Sequence, residues 1–225
     1  MLSNQNVDSL HQNQPILTTG ASLDQAQAAM VLIHGRGASA EGILSLAAEL
    51  GHPGFVYLAP QAAEQTWYPY PFMTPIGQNE PWLSSALDTI ASVLDRLSAT
   101  SIPVERTILL GFSQGACLAL EYAARNAWRY GGVVGLSGGL IGPPGTPRDY
   151  SGSLAGTPVF LGCGDPDPHI PRQRVLESER VFKRLDGVVT TRFYPGLGHV
   201  VNQDEVDFVR RMMERLVGEK DNLDG

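Results

Sequence analysis

Cysteine is scarce: Cys117 and Cys163 are the only two in 225 residues. Two cysteines make no disulfide framework, and their spacing is not of a metal-binding type. Each lies in an apolar run, where a thiol serves as a small buried hydrophobe. Basic charge is also short: 16 Lys and Arg stand against 23 Asp and Glu, a net charge of −7. An acidic chain without a basic stripe is poorly suited to phosphate backbones or anionic lipid heads, so no nucleic acid partner is expected. No apolar run approaches the ~18 residues of a membrane span, so integral membrane association is not expected either. Residues 1–14 are rich in Asn and Gln with no apolar stretch of secretory type, which points to a cytoplasmic protein.

Hydrophobic residues are plentiful at 43%, and charged ones are only 17%. That balance fills the core of one domain, 1–225, with 1–14 and 219–225 expected as flexible ends. Short apolar runs recur at Ala29–Ile33, Phe55–Ala59, Thr107–Leu110, Val133–Leu136 and Pro158–Leu161. Runs apolar on both faces suit central parallel strands covered by helices on each side. Thr190–Tyr194 is a weaker sixth run, and Ile16–Thr19 reads as an antiparallel edge.

Helical patterns lie between the runs. Leu83, Leu87, Ile90, Leu94 and Leu97 form one stripe, and residues 114–127 carry small alanines that allow close packing on a sheet. Val175, Phe182 and Leu185 mark a third helix. A fourth begins with Asn202 and Glu205 at capping-box spacing, followed by Val206, Val209, Met213 and Leu216. The alternation predicts an α/β fold with a mostly parallel sheet. Two long loops, 66–80 and 138–156, interrupt it, and loops of that length in a compact domain tend to be functional.

Gly111-Phe112-Ser113-Gln114-Gly115 fits G-x-S-x-G between a strand and a helix. A serine on so sharp a turn needs glycines two residues either side, because a Cβ there would collide with the neighbouring chain. The turn also sets Ser113 at a helix N-terminus, where free N–H groups favour developing negative charge. A hydroxyl needs a base at neutral pH, and in this arrangement the partners follow the serine in the order acid, then histidine. Only His169 and His199 come after Ser113. His199 sits between the last strand and the last helix and is read as the base, while His169 directly follows the acid candidates. Asp165 and Asp167 compete as the acid, and spacing does not choose between them.

The chain resembles the phospholipase/carboxylesterase family of α/β-hydrolases, which includes acyl-protein thioesterases, from about Ile16 to Leu216. The resemblance rests on Leu32-Ile33-His34-Gly35-Arg36-Gly37, the Ser113 pentapeptide, Leu136-Ser137-Gly138-Gly139, Asp167-Pro168-His169-Ile170-Pro171 and Gly198-His199. It implies an α/β-hydrolase fold with helices on both faces and no large cap domain. It also selects Asp167 as the triad acid with Ser113 and His199, and gives the oxyanion hole to the backbone N–H groups of Arg36 and Gln114. Arg36 departs from the leucine often found at its position, and its side chain is expected to form a structural ion pair with a carboxylate of the protein, with an acidic substrate group as the alternative partner. His34, which precedes the serine, is read as a structural member of its turn.

Trp67, Tyr68, Phe72 and Met73 are read as the apolar wall of a substrate pocket, with packing as the alternative for Trp67 and Phe72. Trp82 is read as packing, and both long loops are expected to border the pocket. The expected activity is hydrolysis of small to medium acyl esters through an acyl-enzyme, with a small-molecule ester as the partner, no metal and no cofactor. Long-chain lysophospholipase or thioesterase action is the alternative, and a non-catalytic binding protein a remote one. A homodimer is plausible by resemblance.

Overall fold

The computed structural model describes residues 10–218. Seven strands form one sheet: β1 (Ile16–Gly20), β2 (Ala28–Ile33), β3 (Phe55–Pro60), β4 (Thr107–Phe112), β5 (Gly132–Leu136), β6 (Pro158–Asp165) and β7 (Val188–Pro195). Their spatial order is β1-β3-β2-β4-β5-β6-β7. β1 runs antiparallel on the β3 edge, and every other neighbour pair is parallel. Five α-helices pack on the sheet: α1 (Ala40–Leu50), α2 (Trp82–Ser98), α3 (Gln114–Arg125), α4 (Arg172–Arg184) and α5 (Gln203–Gly218). The fold is that of an α/β-hydrolase, with no large cap among the described residues.

Alternation along the strands explains why the apolar runs are continuous. Val31, Ile33, Leu109, Val133 and Leu161 face a core shared with α2, α3 and α4. Met30, Leu32, Ile108, Leu110, Val134 and Phe160 face the opposite core, shared with α1 and α5. A half-buried strand would alternate with polar residues, and these do not, because both faces are covered.

Helix α1 has no counterpart among the helices predicted above. Its signals were Ser39, whose Oγ accepts from Gly42 N at 3.1 Å, and Gly51, which closes the helix in the left-handed region at φ 58°. Only Ala40, Ala47 and Leu50 are buried on it, too thin a stripe to stand out by periodicity.

Within residues 10–14, expected to belong to a flexible end, His11 is packed against the body of the domain. His11 is buried: its backbone N–H donates to Ser85 Oγ (3.1 Å), ring Nε2 meets Trp67 O (3.1 Å), and Nδ1 accepts from Ala63 N (3.0 Å). Burial lowers its pKa, so the neutral ring with Nε2–H fits these partners. Residues 1–9 and 219–225 of the predicted ends lie outside the described residues.

The capping box of α5 forms as predicted. Asn202 Oδ1 accepts from Glu205 N (3.2 Å), and Glu205 Oε2 accepts from Asn202 N (2.9 Å). Glu205 is buried, and burial pushes its carboxyl from the ordinary 4.5 up to about 7. The folded chain therefore holds this proton more tightly than the unfolded chain. The associated stability is present below pH 4.5 and is lost as pH rises through about 7. Glu205→Gln, which keeps an acceptor for Asn202 N, is expected to remove on the order of 2–3 kcal/mol of this pH dependence. Melting curves of both proteins at pH 5 and pH 8 test it; parallel losses on raising the pH would refute it.

Candidate active site

β4 ends in a strained turn. Ser113 has φ 56° and ψ −119°, a conformation rare for any residue with a side chain, and it occupies the N-cap of α3. A Cβ on Gly111 would lie 2.2 Å from Gly115 O, and one on Gly115 would lie 2.1 Å from Ile33 O. Both glycines are therefore obligatory, for the steric reason inferred from the motif. The Ser113 N–H is itself bound to Leu136 O at 3.0 Å, which ties the turn to β5.

His199, on the loop between β7 and α5, brings Nε2 within 2.9 Å of Ser113 Oγ. Its Nδ1 lies 2.7 Å from Asp167 Oδ2. The second carboxylate oxygen of Asp167 accepts from the backbone N–H groups of His169 (2.8 Å) and Ile170 (3.0 Å). Burial alone would raise the Asp167 pKa, but the His199 hydrogen bond and these two donors outweigh it and hold the group below its ordinary value. A carboxylate at this point fixes the proton on Nδ1 and leaves Nε2 free to accept from the serine hydroxyl. Phe112 and His169 flank the imidazole, with ring centres 5.0 Å and 4.8 Å away. Asp165, the rival acid, turns outward and pairs with Arg172.

His34 is structural, as expected. Its Nδ1 bonds Gly35 O (2.8 Å), Nε2 accepts from Ala62 N (3.1 Å), and burial lowers its pKa. The N–H groups of Arg36 and Gln114 both border the Ser113 cavity, and neither donates to an acceptor among the described residues. They are thus available to an oxyanion.

The Arg36 side chain does not form the ion pair expected of it. Its guanidinium donates to three backbone carbonyls: Pro69 O at 2.7 Å, Tyr68 O at 2.9 Å and Tyr70 O at 2.9 Å. A planar fork of donors suits converging carbonyls, and the proline-rich turn at 68–70 supplies them. Gln114 grips the same loop, accepting from Trp67 N (2.9 Å) and donating to Tyr68 O (2.8 Å). Arg36 and Gln114 thus both hold the pocket loop through their side chains, a role that the sequence did not signal.

The cavity beside Ser113 measures about 630 Å³, with Tyr68, Phe72, Met73, Cys117 and Ile170 among its walls. Trp67, predicted as a wall residue, is not one. It is fully buried, donating from Nε1 to His34 O at 2.9 Å, and supports the turn after β2 from below. The 138–156 loop contributes no lining residue. It acts one layer behind, where Gly142 N holds Phe72 O at 2.7 Å. Cys117 was missed as a wall residue, although it stands four residues after Ser113 and so on the same helix face. Burial pushes its thiol up to about 12, so at neutral pH it is an apolar floor.

The chain matches the phospholipase/carboxylesterase family over residues 16–217. It belongs to that family. Among solved structures, a phospholipase/carboxylesterase from Dyadobacter fermentans is 41% identical with a TM-score of 0.87, covering 93% of this chain and 100% of that one. Acyl-protein thioesterase 1 of Saccharomyces cerevisiae is 32% identical over 127 residues, 56% of this chain and 54% of that protein. The chain thus spans about half the length of that curated relative. The Yarrowia lipolytica acyl-protein thioesterase 1 aligns more fully, over 85% of this chain and 93% of that protein, at 24% identity. The family is one of phospholipases and carboxylesterases, and the two yeast relatives are named as thioesterases. None of the chain's helices among the described residues is long and apolar enough to cross a membrane.

Proposed function

We propose that the protein is a serine hydrolase of small to medium acyl esters, working through an acyl-enzyme on Ser113. The observation that carries this reading is the continuous hydrogen-bonded line from Ser113 Oγ through His199 to Asp167. Ser113 Oγ attacks the ester carbonyl carbon while its proton passes to His199 Nε2. The carbonyl oxygen becomes an oxyanion held by the Arg36 and Gln114 N–H groups, and Asp167 stabilises the imidazolium. The intermediate collapses as His199 returns the proton to the leaving alkoxide, releasing the alcohol. Water then gives its proton to His199, its oxygen attacks the acyl carbon, and the acid departs with Ser113 Oγ reprotonated.

The walls favour short to medium acyl groups. Tyr68, Phe72 and Cys117 are buried, and with no cap domain a long chain would leave them for solvent. Within the pocket each added methylene is expected to contribute ~0.8 kcal/mol, about a fourfold gain in kcat/KM. Across p-nitrophenyl esters below their micellar limit, kcat/KM is expected to rise and then fall among short to medium chains. The likeness to yeast acyl-protein thioesterases favours a second reading, long-chain thioester hydrolysis. A rate still climbing at palmitoyl length, with acyl thioesters preferred, would select it.

A further inference from the structure

A second cavity, of about 510 Å³, opens at the other end of the sheet from Ser113. It lies at the amino ends of β4 to β7, whereas the catalytic serine follows the carboxyl end of β4. A six-residue strand separates the two by roughly 20 Å. One wall is the sheet-facing side of α5, with Phe208, Met212 and Leu216, and the start of β7 adds Val188. Around this apolar floor stand four arginines, Arg106, Arg129, Arg211 and Arg215, against one carboxylate, Glu105. Among the described residues none of the four takes part in an ion pair, although six other arginines do.

Two of these guanidiniums are anchored by backbone carbonyls. Arg106 Nε donates to Gln27 O (3.0 Å), and Arg129 Nη1 donates to Ala155 O (2.6 Å). Arg106 Nη2 is buried with no hydrogen-bond partner, a cost that a native structure ordinarily avoids. Glu105 is already engaged by Trp128 Nε1 at 3.0 Å. In a chain of net charge −7, four guanidiniums gathered on one apolar recess form a local field opposite in sign to the whole.

We infer that this recess binds a small amphipathic anion, with its anionic head among the four arginines and its aliphatic tail against Val188, Phe208, Met212 and Leu216. An apolar pocket with a few convergent charged donors is the common form of such a site, and guanidinium matches a carboxylate head. The inference is independent of the esterase reading, since it uses no residue of the Ser113 site.

Decanoate below its micellar limit is the probe, followed on the methionine ε-methyl resonances of the intact protein. Met212 reports on this cavity and Met73 on the catalytic one. The expected result is a saturable shift of Met212, at least tenfold tighter for decanoate than for neutral decyl glucoside. Binding should tighten about fourfold per methylene from octanoate to decanoate. Arg211→Gln with Arg215→Gln, both exposed positions that keep helix propensity, should weaken decanoate tenfold or more and leave the glucoside unchanged. Added salt should weaken the wild-type complex in the same selective way. The inference is overturned if only Met73 moves, if the glucoside binds equally well, or if the double variant binds decanoate as the wild type does. It is also overturned if decanoate binds only after removal of 219–225, which carry Glu219, Asp221 and Asp224, since the recess would then belong to the chain's own acidic segment.

Discussion

Ser113→Ala is expected to lower kcat by about 10⁶-fold, the scale seen when a triad serine is lost, because no covalent path remains. The fold should survive. Alanine inherits the same φ of 56°, and the hydrogen bond from residue 113 N to Leu136 O is made by the backbone. Residual turnover should come from the oxyanion donors alone, so the variant should still bind substrate with a KM near that of the wild type. A serine-reactive phosphonate should label the wild type at Ser113 and leave the variant unlabelled. Full activity in Ser113→Ala, with labelling at another serine, would remove the assignment.

Asp167→Asn should cost about 10⁴-fold in kcat, by presenting His199 with the wrong partner and so the wrong tautomer. The neighbouring Asp165→Asn is the built-in control. Asp165 lies two residues away, yet its carboxylate pairs with Arg172 in a partly exposed bridge, worth no more than about 1 kcal/mol. That variant should keep nearly full kcat and shift the melting temperature slightly. Should Asp165→Asn prove the inactive one at unchanged melting temperature, the line from Ser113 through His199 ends elsewhere.

What could be read before the structure divides along physical lines. Central strands buried on both faces leave unbroken apolar runs, so β2 through β6 were legible, and the edge at Ile16 was too. The α5 start was legible because Asn202 and Glu205 satisfy each other's backbone groups at a fixed spacing. Ser113 was legible because its glycines answer to clashes that hold wherever that turn occurs. Asp167 was a different matter. Two aspartates in one loop differ only in where the chain turns them, and resemblance made the choice that spacing could not. Arg36 failed for a related reason: its partners are backbone carbonyls, which carry no sequence signature. Trp67 failed because an aromatic under a loop and one facing a pocket look alike until the loop is folded.

The grip of Arg36 and Gln114 on the 66–70 loop bears on how such a site can diverge. Four of the six contacts involved use main-chain carbonyls at 68, 69 and 70, a fifth uses the main-chain N–H of Trp67, and the sixth is Thr66 Oγ1 donating to Gln114 Oε1. Every residue type offers a carbonyl. The side chains of Tyr68 and Tyr70 can therefore be exchanged without breaking these contacts, whereas Trp67, whose Nε1 donates to His34 O, and Thr66 cannot. Substrate preference and chemical competence are written in separate alphabets, one in side chains and the other in backbone. A lineage could explore new acyl or alcohol groups by altering Tyr68, which lines the cavity, while the reacting centre stays as it is.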